Sequence, residues 1–215
     1  MFFRIREGEI MARGNLRARS GGLVTALAAM AGILLLLGPA RAAPERYVFD
    51  PAHSYLGIAW QHLGFSTSYG QFRHFSGELW LDEQNPEKSR LQVTIEIPSL
   101  EVASDQLQKE LMSKAFFDAA RYPTATFVSE KVIRTGPQTA QVQGKLTIRG
   151  ITRPATLEVV LNKIGDHPIR KVKAAGFDAR AVIRRSEFGM GAYVPMVSDE
   201  VGIFVSTELL RQDEK

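Results

Sequence analysis

Cysteine does not occur anywhere among the 215 residues. Its absence excludes a thiol nucleophile, a disulfide framework and a lipid-modified cysteine anchor. The sequence is equally poor in catalytic motifs. Gly64-Phe65-Ser66-Thr67-Ser68 lacks the second glycine of a nucleophile elbow. Phe188-Gly189-Met190-Gly191 holds a Gly-x-Gly without the third glycine or the strand-before, helix-after setting of a dinucleotide loop, so a tight turn is its expected use. The four histidines (His53, His62, His74 and His167) form no His-x-His or His-x-x-x-His pair. His62 and His74 could meet across a hairpin, but zinc-type spacing is missing and both read as polar loop tips rather than metal ligands. The adjacent carboxylates Asp199 and Glu200 would point to opposite faces of a strand, a poor geometry for shared acid–base work. No metal, cofactor or catalytic residue is therefore expected.

A long apolar run is also missing, with one exception. Leu23 to Leu37 is uncharged for fifteen residues, short of the ~20 that span a bilayer comfortably. Arg13, Arg17 and Arg19 precede it, and Ala40-Arg41-Ala42 follows as a small-x-small pattern. Basic, apolar and small residues in that order read as a secretory signal peptide over residues 1–42, cleaved near Ala42, and Met11 offers a second start. Arg17-Ala18-Arg19 is not a twin-arginine pair, so a Sec-type route is expected. The leader holds six of the 27 Lys+Arg and two of the 23 Asp+Glu, which leaves 21 against 21 in residues 43–215. A formally neutral domain carries no electrostatic footprint for nucleic acid.

What is abundant is period-two alternation. Leu91, Val93, Ile95 and Ile97 alternate with Gln92, Thr94 and Glu96, as a strand with one apolar face does. Phe75-Gly77-Leu79-Leu81, Leu157-Val159-Leu161, Phe177-Ala179-Ala181-Ile183 and Val201-Ile203-Val205-Thr207-Leu209 repeat the pattern. Strands near 124–134 and 140–149 join them, with turns at Asn85-Pro86, Thr135-Gly136-Pro137 and Gly165-Asp166. Between Ser104 and Ala115 the spacing changes. Leu107, Leu111, Met112 and Ala115 fall at helical intervals, Ser104 suits an N-cap and Pro123 ends the segment. About eight strands with one helical insertion make an antiparallel meander, and closing it into a barrel removes its edges. A barrel of that size is either filled by its side chains or holds one small ligand.

Seven sequence pieces, in order, resemble the YceI-like family, the periplasmic polyisoprenoid-binding proteins of lipocalin-like architecture. They are Asp50-Pro51-Ala52-His53-Ser54, Gln61-His62-Leu63-Gly64-Phe65-Ser66, Gly70 to Glu78, Phe116-Phe117-Asp118 with Tyr122 to Phe127, Gly144 to Thr152, Ser186 to Met190, and Ser198 to Val201. The resemblance runs from about Tyr47 to Leu209. The chain departs from the family where an Arg-Asp-x-His-Leu run usually precedes Phe-Phe-Asp; here Lys109-Glu110-Leu111-Met112-Ser113 carries no histidine.

The resemblance implies an all-β, extended eight-stranded antiparallel lipocalin-like barrel with one inserted helical segment. It also implies a periplasmic location, a homodimer, and an isoprenoid, isoprenoid quinone or similar amphiphilic lipid held in the interior without catalysis. Transient membrane contact goes with that role. A filled structural or stress-response barrel and an enzyme acting on the lipid are the alternatives. The expected lining is Trp60, Leu63, Phe65, Phe72, Phe75, Phe116, Phe117, Phe127, Met190 and Met196, because Phe and Met fill adaptable space; the same residues would also serve as ordinary core. His62, Tyr69 and Arg184 are the expected polar end.

Overall fold

The computed structural model describes residues 43–212; the expected signal peptide lies outside them. Strands β1 (Glu45–Phe49) and β2 (Tyr55–His62) run in one direction, separated by a 3-10 turn at Pro51–His53. The chain returns through β3 (Ser66–Phe72) and, after Arg73 and His74, β4 (Phe75–Leu81). β5 (Arg90–Glu96) is continued past Ile97–Ser99 by β6 (Leu100–Val102). Helix α1 (Asp105–Met112) follows, then the unbroken strands β7 (Thr124–Arg134), β8 (Thr139–Ile148), β9 (Ile151–Asp166), β10 (Lys173–Arg184) and β11 (Glu200–Arg211).

All pairings are antiparallel. β11 pairs with β1 through Leu209–Arg211 and with β2 through Gly202–Ser206, which closes the sheet. Among the described residues, eleven strand segments thus form eight staves, because three staves are each broken once: β1/β2, β3/β4 and β5/β6. The eight-stranded antiparallel barrel expected from the alternation is the fold observed.

The breaks have local causes. Asp50 caps the first, its Oδ1 accepting from Ala52 N at 3.0 Å, and Pro51 suits the first position of a short helix. Pro98 interrupts the third, where a strand would need its missing N–H. Pro154 does sit inside β9, but in the part paired with β8 alone; pairing with β10 begins only at Glu158. The expected turn at Gly165-Asp166 is displaced. Both residues remain paired in β9, opposite Ala174 and Lys173, and the connection to β10 uses 167–172.

In β7 the register shifts between Ser129 and Lys131, opposite Gly144. A Cβ on Gly144 would fall 2.3 Å from Val128 O and 2.9 Å from Ser129 Cα. The glycine lets the bulged strand come close, and a bulge bends a sheet into a barrel wall. Ser104 caps α1, its Oγ accepting from Leu107 N at 3.3 Å. Leu111 of α1 is buried, and Leu107 and Met112 pack on the same cluster as Ile97, Phe116 and Phe117. The helix and the segment after it therefore lie over one end of the barrel. At the other end a smaller cluster gathers Tyr47, Leu81, Ala175 and Leu209.

Candidate functional site

The apolar face of every long stave points inward and does not fill the space it encloses. A chamber of about 240 Å³ occupies the end of the barrel away from α1. Leu79, Val93, Phe127, Val159, Ala181 and Val205 are among its walls, one or more from nearly every stave. A second chamber of about 100 Å³ lies under the helix, bounded by Trp60, Phe72, Leu111, Phe116, Phe117 and Met190. Leu56, Ile95, Leu146, Ile183 and Ile203 line both, so the chambers meet end to end at a shared belt. On β11 the lining runs from Val201 to Leu209. Eight residue steps cover about 27 Å along a strand, or about 20 Å along the axis at a usual barrel tilt.

The two ends differ in chemistry. The larger chamber reaches the barrel end between the 82–89 and 135–138 connections, where exposed Glu83, Arg90, Arg134 and Gln138 form a polar rim. Arg134 donates to Gly136 O at 2.9 Å, whereas Lys173 bridges Glu83 and Glu45. Tyr47 lies beneath that network, its hydroxyl donating to Glu45 at 3.3 Å. Burial, reinforced by the two carboxylates, pushes its pKa up. The inner chamber has carbon walls, with one exception, Arg185.

Arg185 is 5% exposed and continues the inward face of Phe177, Ala179, Ala181 and Ile183. Its Nε donates to Ser198 O at 2.8 Å, one Nη to Ala192 O at 2.8 Å and to Met190 O, and the other to Val197 O at 2.9 Å. Burial draws its pKa down, and Asp199 opposes that. The guanidinium thus pins the 190–198 segment over the inner chamber, with backbone carbonyls as its direct partners.

The expected lining residues divide into two groups. Trp60, Phe72, Phe116, Phe117 and Met190 line the inner chamber, and Phe75 and Phe127 the larger one. Leu63, Phe65 and Met196 do not line either; they are exposed at turns beyond the strand ends, where alternation no longer fixes a side chain's direction. The residues expected at the polar end lie outside both chambers. His62 is exposed at the tip of the β2–β3 hairpin and bridged to Val197. Tyr69 stands on the outer face of β3, and Arg184 points outward. The inward arginine is its neighbour Arg185, which period two from Ile183 would have found. His62 and His74 do not meet: their β2–β3 pair holds His62↔Ser66 at one end and Leu56↔Phe72 at the other.

Among the described residues, one set comes near a metal-ligating arrangement. Donor atoms of Asp50, His53 and Glu208 lie within 4.8 Å of one another. Asp50 is already engaged by Ala52 N, by His53 Nδ1 at 3.1 Å and by Arg170 at 3.4 Å. His53 and the hydrogen bond from Asp50 N to Glu208 O, at 2.8 Å, make this a polar clasp between the β1/β2 break and β11. The hydrogen bond from His53 holds the Asp50 carboxyl below the usual carboxylate range, against the effect of burial.

The chain is similar to known proteins over most of its length. It is 35% identical over 184 residues to the UPF0312 protein of Enterobacter sp. (strain 638), covering 86% of this chain and 95% of that one. It is 34% identical over 183 residues to protein YceI of Salmonella arizonae, covering 85% and 95%. Among solved structures, Burkholderia cenocepacia BcnA superposes with a TM-score of 0.68 at 28% identity, covering 74% of this chain and 98% of that one. A polyisoprenoid binding domain from Saccharophagus degradans shares the fold at a TM-score of 0.61 and 12% identity, over 79% and 99%. Residues 47–209 match the YceI-like domain, and the chain belongs to the YceI-like family.

Proposed function

We propose that the protein is a non-enzymatic carrier that holds the apolar chain of a lipid lengthwise in the two chambers. The observation that carries this reading is the unfilled, largely apolar interior running from a polar rim to the chamber beneath α1. Its ~20 Å exceeds the ~15 Å half-thickness of a bilayer's hydrocarbon core, so a chain that spans one leaflet fits end to end. The tail lies inward and the head group at the rim beside Arg90, Arg134 and Gln138, because Arg185 in the inner chamber already donates to four carbonyls.

The energetics suit carriage rather than permanent capture. Each methylene taken from water contributes ~0.8 kcal/mol, so a five-carbon isoprene unit contributes about 4 kcal/mol. The cargo's alternative home is a bilayer of similar apolarity, and against that reference the net preference is small. Rough parity with the membrane is what reversible loading requires. The proposed cargo class is an isoprenoid or similarly long amphiphile. The Saccharophagus degradans domain, described as polyisoprenoid binding, supports that class only through the shared fold. The signal pattern at Leu23–Leu37 supports export, and the proposed site of action is the periplasm.

Native mass spectrometry of the exported protein, followed by organic extraction, tests the reading. The expected result is an adduct of a few hundred daltons that solvent releases as an apolar chain. A mass that stays bare after incubation with isoprenols and fatty acids would overturn it.

A further inference from the structure

Charge is distributed unevenly over the surface. Lys, Arg, Asp and Glu make up 23% of the chain, yet none occurs in the eighteen residues from Tyr55 to Phe72 or the eleven from Phe188 to Ser198. The fold brings the ends of these two segments together. Leu63 N donates to Met196 O at 3.1 Å, Ser198 N to Gln61 O at 3.0 Å, and Gln61 N to Ser198 Oγ at 3.0 Å. At that junction Phe65 is 91% exposed, Met196 63%, Tyr193 55%, Leu63 48% and Val194 37%. The fractions amount to about three fully exposed large side chains, roughly 600 Å² at ~200 Å² apiece. That is the upper end for an exposed patch on a monomer, a size that marks a site of use.

We infer that this end of the barrel docks on the surface of a lipid bilayer, with Phe65, Leu63 and Met196 entering the acyl region. Three observations select a bilayer over a second copy of the chain. The area falls short of the ~800 Å² per partner that a stable dimer buries. The most exposed side chain, Phe65, sits at a hairpin tip and buries almost nothing against its own chain, the form of an inserting wedge rather than a flat, self-complementary face. The junction carries no formal charge to desolvate, and Tyr193 within it has the amphipathic ring that settles at a membrane–water interface.

The opposite end lacks these features. Its exposed Ile169 is followed by Arg170 and Lys171, and the 82–89 connection carries Glu83, Glu87 and Lys88, whereas at the docking end the charges, such as Lys109, Glu110 and Lys114, belong to α1 and the residues after it and not to the junction. The docking end also adjoins the inner chamber. Met190 and Val197 line that chamber from the same segment that exposes Tyr193 and Met196, and the Tyr193 ring lies 6.2 Å from that of Phe116, another lining residue.

The absence of native cysteine makes the test direct. Phe65→Cys and, at the far end, Ile169→Cys are each labelled with a polarity-sensitive fluorophore on the exported protein, and phosphatidylcholine vesicles are added. The expected result is a blue shift at position 65 with none at 169. A Phe65→Ser/Met196→Ser variant, folded as judged by its circular dichroism, should lose at least tenfold in vesicle partition. Silence at both positions overturns the inference, as does a shift at 169. A shift at 65 that tracks protein concentration without vesicles means a second copy covers the patch, and overturns it too. The lipid extracted from the same samples is measured separately, so failure of docking is distinguishable from failure of lipid carriage.

Discussion

Adjacent positions on β10 offer a test in which one residue is the control for the next. Ala181 faces the larger chamber just below the belt, while Val182 is 66% exposed on the outside of the same strand. Ala181→Phe adds six carbons inside the tunnel and displaces a comparable length of ligand chain. At ~0.8 kcal/mol per methylene returned to water, that costs about 5 kcal/mol, or between three and four powers of ten in water-referenced affinity. The protein itself should change little. The ring enters unfilled space, so the 1–3 kcal/mol penalty of overpacking a tight core should shrink below ~1 kcal/mol. Val182→Phe adds similar bulk outside and should leave binding unchanged. The assay is competition between an isoprenol and a fluorescent apolar probe, with denaturant unfolding run in parallel. Chains long enough to cross the belt should lose most, and chains short enough to stay in the larger chamber least. Equal losses for the two variants, or none for Ala181→Phe, would refute the assignment of the interior as the binding site.

Further perturbations probe the parts that hold the tunnel in shape. Arg185→Met should cost about 1–3 kcal/mol, because it leaves one buried and three part-buried carbonyls without this donor; Arg184→Ala should stay within about 0.5 kcal/mol. Urea unfolding separates them, and equal midpoints would contradict the roles given to the two arginines. Gly144→Ala should cost about 1–3 kcal/mol by forcing a Cβ against the β7 backbone, and a neutral result would show that the bulge adjusts freely. Asp50 binds fewer protons folded than unfolded, since His53 holds its pKa down. The stability it contributes is therefore present above the unfolded value of ~3.9 and lost as pH falls through the lower folded value. Asp50→Asn should flatten the acid limb of stability against pH below about 4, and an unchanged limb would show that the Asp50–His53 clasp does not set acid stability.

Much of the barrel was legible because strands obey a rule that sequence displays. Leu91, Val93 and Ile95 all face inward, as do Val201, Ile203, Val205 and Leu209. The helix too was visible, through Ser104 and the spacing of Leu107 and Leu111. Alternation is silent beyond strand ends. Leu63, Phe65 and Met196 are apolar residues in turns, and composition alone placed them in the interior when the fold places them outside. Arg184 was a different kind of miss, since the parity from Ile183 already pointed to Arg185. A lone arginine is usually a solvated one, and nothing local signals the four carbonyls, from residues 190 to 198, that make burial at 185 tolerable. Whether an apolar interior is filled or hollow also depends on the barrel's shape, which no residue pattern measures.

The most direct test of the tail-inward tunnel is a crystal structure with a long-chain lipid brominated at the end of its tail. One anomalous peak is expected in the inner chamber, between Phe116, Phe117 and Met190, with the head group at the Arg90–Arg134 rim. A peak at the rim would reverse the orientation. Bromine found only on the outside, with both chambers closed by side chains, would contradict carriage in the interior.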